Sequence, residues 1–388
     1  MAEEKKNIPK LRFREFTGDN ANAWELRKLA EVVSSEIKGR AKAEMAGSAN
    51  YYLDTSYLNG KSPILVDSPK NVKKDDILIL WDGSQAGKVY HGFEGALGST
   101  LKAYRPRESG SFLYQYLVRY QEKIYASYRT PNIPHVIKTF KNDFIVYIPT
   151  NVEQQKIGSF FKHLDELITL HQRMLDEYKT LKKTMLSKMF PKNSEKYPEL
   201  RFSGFTDAWE LRKLGDIGSV AMNKRIFKEQ TSEKGDVPFF KIGTFGKQPD
   251  AFISRELFEE YKANYPYPDI GDVLISASGS IGRTVVYDGE DQYFQDSNIV
   301  WIKHDGRIDN RFLEQFYSVV KWYGLEGSTI KRLYNKNILK TPISIPKLFE
   351  QQKIGSFFKH LDELITLHQR ELELLKTLKK TMLQQMFV

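Results

Sequence analysis

The chain has 388 residues, 40% hydrophobic and 13% aromatic, so it is long enough for two or three domains with proper cores and too apolar for a disordered chain. Its 59 Lys and Arg against 49 Asp and Glu give a net charge of +10, which suits a nucleic-acid partner but also a merely basic soluble protein. The absence of cysteine excludes disulfides and thiolate zinc sites, and with no apolar run of 18 residues and no signal peptide we expect no membrane span and a cytoplasmic location.

The first 150 residues predict a mixed α/β domain. Asp76–Trp81 and Phe144–Ile148 contain short runs of β-branched and aromatic residues, as buried strands do. Phe112–Tyr128 has the apolar spacing of an amphipathic helix. Clusters of Gly, Ser, Asn and Asp separate these segments, so we expect the elements to be joined by polar loops.

A long helix is predicted at Glu153–Phe190. The segment contains no proline and one glycine, and Pro191 ends it. With Ile157 as heptad position a, eight of the ten a and d positions are apolar, which predicts a coiled-coil seam about 55 Å long. The seam residues expected in this helix are Ile157, Phe160, Leu164, Leu167 and His171. A neighbouring apolar stripe widens the face, formed by Phe161, Ile168 and Leu175.

The part of the chain after this helix repeats the same order. Pro9–Phe13 returns as Pro198–Phe202, and Ala23–Leu29 returns as Ala208–Leu214. Between these marks and the long helix that closes each half, the two halves differ strongly in sequence. The second half again predicts a mixed α/β domain, with strands at Asp272–Ile275 and Asn298–Ile302 and a helix at Phe312–Tyr323.

The closing helix establishes an internal duplication. Glu350–Phe387 matches Glu153–Phe190 at 32 of 38 positions with an offset of 197, and the first 21 positions are identical. An isolated helix of this kind would leave its apolar face in water, so we expect the two copies to pair antiparallel within one chain. Pairing between two chains is the alternative. The seam residues expected here are Ile354, Phe357, Leu361, Leu364 and His368.

The predicted fold class is therefore α/β (α+β), with two globular domains separated by two long helices that pair as an antiparallel coiled coil. The duplication gives the chain an internal pseudo-two-fold organisation. The expected boundaries are a first domain at 1–150, a central helical spacer at 151–192, a second domain at 193–348 and a distal helical spacer at 349–388. Two equal units suit a partner with two-fold symmetry, or two copies of one partner.

The sequence predicts no catalytic centre. Gly83–Lys88 resembles a phosphate-binding loop, but it is one residue short and Val89 stands where Ser or Thr would bind Mg²⁺. Gly279–Gly282 is too short for a dinucleotide-binding fingerprint. The seven histidines do not cluster, and His171 and His368 fall on the seam, where we expect polar register markers and not metal ligands. We expect no metal site and no cofactor in this chain.

Several polar loops have a composition suited to DNA. Arg and Lys hydrogen-bond guanine, Asn and Gln hydrogen-bond adenine, and Ser and Thr bind bases or phosphates. An exposed polar loop residue more often only faces water, so these residues are candidates. Those of the first domain are Tyr52, Thr55, Tyr57, Ser84, Gln85, Lys88, Arg129 and Asn132. Those of the second domain are Lys224, Arg225, Ser278, Ser280, Arg283, Ser328, Thr329, Lys331 and Arg332.

In the order of its motifs, the chain resembles the specificity subunit of a type I restriction–modification system. Each motif alone is weak, whereas their duplicated order along essentially the whole chain is highly specific. The motifs are Pro-x-Leu-Arg-Phe with Trp-Glu-Leu-Arg-Lys-Leu at 9–29 and 198–214, the strand start at 271–275 with its turn at 279–282, Gly-Ser-Thr-Ile-Lys at 327–331, and Ile-Pro with Glu-Gln-Gln-Lys-Ile-Gly-Ser-Phe-Phe at 148–161 and 345–358.

The resemblance implies two target-recognition domains, each recognising one half of a split, asymmetric sequence in double-stranded DNA. It implies a coiled coil that sets the distance between the halves. It also implies that two methyltransferase subunits and two restriction subunits, which are ATP-dependent translocase–nucleases, join this chain. S-adenosylmethionine, ATP and Mg²⁺ would be bound by those partners, and this chain would be a non-catalytic subunit.

The first domain departs from the family pattern, because Arg129–Ile133 stands where the second domain has Gly-Ser-Thr-Ile. Two other functions are compatible with the residues. One is a non-catalytic coiled-coil adaptor whose domains bind peptide or RNA. The other is a stand-alone enzyme. Binding that falls steeply with salt yet selects one duplex among many would distinguish a DNA-recognition protein from the adaptor.

Overall fold

The computed structural model describes residues 7–18, 22–192, 195–325 and 332–388. The chain forms two compact units, one made of Met1–Arg173 with Gln369–Val388 and the other of Met174–His368. We refer to them as the first unit and the second unit. Within the described residues, no helix combines the length and the apolar character needed to cross a lipid bilayer.

The globular part of the first unit consists of short strands and short helices. The strands are β1 (Glu25–Lys28), β2 (Val33–Lys38), β3 (Ala46–Leu53), β4 (Leu65–Val66), β5 (Ile77–Leu80), β6 (Val89–Tyr90), β7 (Ala96–Leu97), β8 (Leu101–Pro106) and β9 (Ile145–Ile148). The helices are α1 (Leu29–Val32), α2 (Thr55–Leu58), α3 (Gly110–Arg119), α4 (Gln121–Ser127) and α5 (Phe140–Asp143). An antiparallel sheet has the order β2-β8-β5-β6, a second sheet has the order β4-β3-β7, and β1 pairs with β9.

The predicted helix over Phe112–Tyr128 is interrupted in the structure. α3 and α4 are separated by Tyr120, whose φ of −103° and ψ of 19° lie outside the helical region. The Tyr120 ring centroid lies 4.9 Å from that of Tyr116, and its hydroxyl donates a hydrogen bond to the carbonyl of Val388. The contact with Tyr116 is local and the contact with Val388 is tertiary; the apolar periodicity continues through both segments and does not reveal the break.

The globular part of the second unit contains the corresponding elements. Its strands are β10 (Glu210–Lys213), β11 (Gly218–Ala221), β12 (Val237–Phe240), β13 (Phe252–Ile253), β14 (Val273–Ser276), β15 (Thr284–Val286), β16 (Tyr293–Phe294), β17 (Ile299–His304) and β18 (Pro342–Ile345). Its short helices are α7 (Arg255–Asn264), α8 (Asn310–Val319) and α9 (Asn335–Lys340). The sheet orders are β11-β17-β14-β15 and β13-β12-β16, and β10 pairs with β18.

The two units share one frame. Each has an antiparallel four-stranded sheet and a three-stranded sheet with one parallel pair, β3 with β7 and β12 with β16. The central strands β5 and β14 are fully buried, because their runs of Ile, Leu and Val lie between packed layers. The register of the two-stranded pair is also the same in both units, since Glu25 lies opposite Ile148 and Glu210 lies opposite Ile345. The duplicated mixed α/β architecture is therefore confirmed.

Two helices of 39 residues follow the globular parts, α6 (Asn151–Met189) and α10 (Leu348–Met386). In the first unit, Lys379 of α10 donates a hydrogen bond to Asp165 of α6 at 2.5 Å. In the second unit, Lys182 of α6 does the same with Asp362 of α10 at 2.6 Å. In the first unit, a second contact joins His171 to Glu371, and in the second unit one joins Tyr178 to His368. Within each unit, rising residue numbers on one helix therefore meet falling numbers on the other. The α6 and α10 segments therefore pack antiparallel inside each unit.

The buried face of α6 differs from the predicted seam at the d positions. Ile157 and Leu164 are buried, but the second buried line passes through Phe161 and not through its neighbour Phe160. Leu167, predicted in the seam, is 42% exposed. The apolar face is wider than a seam, so periodicity does not decide which line faces inward. Packing decides it, because Phe161 lies 5.7 Å from Phe387, ring centroid to ring centroid.

The closing helix α10 shows the same displacement. Ile354 and Leu361 are buried, whereas Phe357 and Leu364 are only partly buried. The fully buried aromatic residue is Phe358, the counterpart of Phe161. A contact with Phe13 partly covers Phe160 of α6. The two seam histidines have protein partners. His171 pairs with Glu371 at 3.0 Å, and the buried His368 stacks on Tyr178 at 5.5 Å.

Candidate nucleic-acid interface

In the first unit, two of the predicted DNA-binding segments lie side by side. The turn after β5 meets the segment 129–136, where the Gly83 amide donates to the Pro134 carbonyl at 2.9 Å. Arg129 donates through Nη1 to the Ser84 carbonyl at 3.1 Å. Ser84 and Gln85 are exposed beside it, and Asn132 is exposed in the loop that follows Arg129. The structure therefore brings these four candidates onto one surface.

The α2 segment joins the same surface through a residue that the sequence did not single out. Lys88 donates through Nζ to the Asn59 side-chain carbonyl at 2.7 Å, and its ammonium lies 5.1 Å from the Tyr90 ring centroid. Asn59 directly follows α2 and donates in turn to the Thr55 carbonyl at 2.6 Å. Thr55, at the start of that helix, is thus connected to Lys88 by two hydrogen bonds.

Two candidate tyrosines of the first unit pack against other side chains of the domain. Tyr57 packs edge-on against Phe93 with centroids 5.5 Å apart. Tyr52 is partly buried against the small apolar cluster around Val66, and burial raises the pKa of its phenol. The distribution of Tyr, Thr and Ser along residues 51–57 does not separate packing roles from surface roles, because it carries no information on which side of β3 is covered.

In the second unit, the turn after β14 carries Ser278 and Ser280. The Ser278 hydroxyl donates to the Asn298 side-chain carbonyl at 2.8 Å. Ser280 is exposed, and its carbonyl accepts a hydrogen bond from Ser276 at 2.5 Å. Arg283 turns inward. It donates through Nη2 to the Ile242 carbonyl at 2.9 Å and lies over the Phe245 ring. Arg283 is therefore a support of the turn in this structure, in contrast to the prediction.

A second turn, between β16 and β17, gathers further candidates. Arg225 donates through Nε to Asp296 at 3.0 Å, and Arg332 donates through Nη2 to the Ser297 hydroxyl at 3.0 Å. Lys224, next to Arg225, lies 4.8 Å from the Tyr265 ring centroid. The predicted candidates Ser328, Thr329 and Lys331 lie outside the described residues.

Strand register identifies a basic residue that sequence reasoning missed. In the first unit Ile37 lies opposite Ala103, and in the second Ala221 lies opposite Trp301. These pairs occupy equivalent places in the two frames, because both lie opposite equivalent residues of the central strands, Leu78 and Leu274. Arg40 and Lys224 each follow three residues after the paired position. Arg40 is exposed and is therefore the first-unit counterpart of Lys224.

The same register aligns the turns before β8 and β17. The Thr100 carbonyl accepts a hydrogen bond from the Trp81 amide at 2.8 Å, as the Asn298 carbonyl does from the Ala277 amide at 2.7 Å. Gly98 and Ser99 therefore stand where the second unit has Asp296 and Ser297. The frame is shared, whereas the side chains that it presents differ. Because Asp296 is acidic, a search for DNA-binding side chains based on Arg, Lys and amides does not find it.

A buried aspartate begins the strand that carries the first turn in each unit. Asp76 is ion-paired with Arg105 at 2.8 Å, and this hydrogen bond raises the pKa of the guanidinium. Asp272 accepts a hydrogen bond from the Asp269 amide at 2.9 Å and lies 3.5 Å from the Asn310 amide nitrogen. Burial raises the pKa of the Asp272 carboxyl. Both carboxylates accept a backbone hydrogen bond that fixes the entry to the central strand.

Comparison with known proteins agrees with the duplicated frame. The sequence profile of the type I restriction modification DNA specificity domain matches residues 22–180 and 206–377. A type I restriction enzyme specificity subunit of Haemophilus influenzae is 59% identical over 153 residues, a match that spans 39% of this chain and 40% of that protein. The type I restriction enzyme MjaVIII specificity subunit of Methanocaldococcus jannaschii is 25% identical over 388 residues, covering 92% of this chain and 90% of that protein.

A solved structure extends the likeness to the fold of the whole chain. The crystal structure of the type I restriction–modification S subunit from M. genitalium superposes with a TM-score of 0.70 at 17% identity. The superposition covers 98% of this chain and 99% of that one. Members of this family supply specificity and are not catalytic in themselves. The profile matches the greater part of the chain, in two copies, and the chain therefore belongs to the type I restriction–modification DNA specificity family.

Proposed function

We propose that this chain is the sequence-specific DNA-binding subunit of a type I restriction–modification complex, in which each unit recognises one half of a bipartite, asymmetric target. The observation that carries this proposal is one frame with two sets of turns. In the first unit Lys88 and Arg129 are partly exposed, and in the second Arg225 is exposed and Arg332 partly exposed. Different side chains on equivalent turns suit two different half-sites, because base edges are distinguished by the donors and acceptors that meet them.

The two long helices suit a spacer between the half-sites. Each has 39 residues, which at about 1.5 Å per residue corresponds to roughly 58 Å. Two DNA-binding domains in successive major grooves lie about 34–36 Å apart, centre to centre. Deleting one heptad from both helices is expected to change the spacer length of the target or to abolish recognition. An unchanged target with an unchanged spacer would contradict a role of the helices in spacing.

The helices also suit the docking of two identical methyltransferase subunits. Leu170 and Leu181 of α6 are exposed, and so are their counterparts Leu367 and Leu378 of α10. Exposed leucines at the same positions in both copies would offer one partner the same contacts twice. We further propose that two restriction subunits complete the complex. S-adenosylmethionine, ATP and Mg²⁺ would then act in those subunits, with no cofactor in this chain.

The test is co-expression of this chain with a type I methyltransferase subunit of the same genome, followed by mapping of adenine methylation on plasmid DNA. A split motif methylated on both strands is the expected result. Exchanging residues 199–349 for the corresponding domain of a relative should then change only one half of the motif. A stable complex that methylates no discrete motif would refute DNA recognition by this chain and would favour a coiled-coil adaptor for peptide or RNA.

A further inference from the structure

The turn Gln295–Asn298 connects three separate segments of the second unit. Asp296 accepts a hydrogen bond from Arg225, Ser297 accepts one from Arg332, and Asn298 accepts one from Ser278. The turn is itself fixed to the sheets at both ends. The Gln295 amide donates to the Phe240 carbonyl at 2.9 Å, and the Asn298 carbonyl accepts from the amide of Ala277 at 2.7 Å. Its side chains are therefore held in place from several directions.

Ser297 has an unusual backbone conformation. Its φ of +49° is the single positive φ of a non-glycine residue within the described ranges. The left-handed region is unfavourable for a residue with a Cβ, and such residues persist where the surroundings fix them. In this turn, the conformation allows consecutive side chains to reach two arginines from distant parts of the chain. The first-unit counterpart, Ser99, has no such conformation, and Gly98 replaces Asp296.

The arginine contacts leave the guanidinium ends available. Arg225 is held through Nε, its side chain is 61% exposed, and its two terminal nitrogens have no hydrogen-bond partner among the described residues. Arg332 is partly buried, and its Nη2 donates to the Ser297 hydroxyl at 3.0 Å and to the Ser297 carbonyl at 3.5 Å, so Nη1 is its terminal nitrogen without a hydrogen-bond partner among the described residues. A carboxylate or hydroxyl that fixes an arginine in advance reduces the entropy lost when the arginine binds. Fixed guanidinium groups match the O6 and N7 acceptors of guanine in the major groove.

We infer that the turn Gln295–Asn298 positions Arg225 and Arg332 to recognise two guanines in the half-site of the second unit. This inference rests on the proposed function and assigns a base class to part of the target. Asp296 and Ser297 act as positioning residues, since each contacts an arginine and not the base. The first unit has Gly98 at the equivalent place, without a carboxylate, so its half-site is recognised by other side chains.

The experiment uses the full chain in complex with the methyltransferase subunit and maps methylated motifs on plasmid DNA. Arg225→Lys and Arg332→Lys keep the charge but lose the planar fork. Each is expected to make one guanine position of one half-site degenerate, with a loss of discrimination of about tenfold or more at that position. Asp296→Asn should weaken base discrimination at the same position as Arg225→Lys, because the carboxylate charge that holds Arg225 in place is lost. The other half-site should stay unchanged.

Two variants of Ser297 separate backbone strain from the hydroxyl contact. Ser297→Gly relieves the left-handed strain, whereas Ser297→Ala keeps it because serine and alanine both carry a Cβ; both variants lose the hydrogen bond to Arg332. Both should relax the position recognised by Arg332, and Ser297→Gly should melt at a higher temperature than Ser297→Ala. Arg255→Lys is the matched control, because Arg255 is an exposed arginine of the same unit that pairs with Asp291, which precedes β16, whereas the turn follows β16. It should leave the motif unchanged.

The outcomes distinguish this inference from the proposed function. If the wild-type complex methylates a split motif and the arginine variants keep every position of it, the turn is structural and the inference is wrong. A second half-site without a guanine pair would overturn it equally. If the wild-type complex methylates no discrete motif, the proposed function fails, and the inference fails with it. Degeneracy confined to one half-site supports both.

Discussion

A buried ion pair attaches the start of each unit to its long helix. Arg12 and Glu153 form two parallel hydrogen bonds of 2.5 and 2.6 Å, and their side chains are 5% and 0% exposed. The second unit repeats this pair between Arg201 and Glu350 at 2.6 and 2.7 Å. We therefore expect Glu153→Ala to destabilise the first unit strongly, and Glu350→Ala to do the same in the second.

The magnitude follows from the environment of the group that remains. Glu153→Ala leaves the Arg12 guanidinium buried without a counter-charge, which typically costs about 3–5 kcal/mol. Arg12 keeps a hydrogen bond from Nη1 to the Asn22 carbonyl at 3.0 Å, so we expect the lower end, about 3 kcal/mol. The matched control is Glu25→Ala. Glu25 pairs with Arg27 at a similar 2.6 Å, but at the surface, where such pairs contribute little to stability.

The assay is urea unfolding followed by hydrogen exchange of peptides from each unit, since a single unfolding transition is not expected for two units. Glu153→Ala should lower the unfolding free energy reported by first-unit peptides and Glu350→Ala that reported by second-unit peptides. Replacing both Arg12 and Glu153 by Met should restore most of the loss. A loss no larger than that of Glu25→Ala, or one shared equally between the units, would refute the reasoning.

Three further predictions test the core and its titration. In urea unfolding, Phe161→Ala should lower the unfolding free energy by about 3–5 kcal/mol and Leu167→Ala by less than about 1 kcal/mol, because Phe161 is fully buried and Leu167 is 42% exposed. Equal losses would favour the seam predicted from the sequence. Gly158→Ala should destabilise the first unit by about 1–3 kcal/mol despite the better helix propensity of Ala, because its Cβ would lie 2.9 Å from the Phe112 amide nitrogen; a gain in melting temperature would contradict this. Burial raises the pKa of the Asp272 carboxyl above its ordinary 3.8, so its ionisation opposes folding. The second unit should therefore lose stability as the pH rises from 3.8 through the raised pKa, and Asp272→Asn should remove this pH dependence of the urea midpoint. A pH profile that is the same in the variant would exclude Asp272 as its source.

The duplication itself was readable from the sequence, because a repeated order of motifs does not depend on how the chain packs. Prediction of the central strands and of the long helices succeeded for a related reason. Their apolar runs are long or fully buried, so period and composition determine them locally. The break at Tyr120 was not predicted in this way, because the apolar spacing continues through it; at the break, the Tyr120 hydroxyl contacts Val388, which is 268 residues away along the chain.

The details of the candidate interface needed the tertiary structure. An arginine in a polar loop can face solvent, as Arg225 does, or turn inward to support a turn, as Arg283 does, and loop composition does not distinguish the two cases. The partners that decide between them, Asp296 and the Ile242 carbonyl, come from distant segments. The sequence by itself determined that the chain is an internal duplication of one domain-and-helix unit whose loops differ between the copies. Only the tertiary structure decided which apolar line of each helix is buried and which side chains the turns hold, because both depend on contacts between residues far apart in the chain.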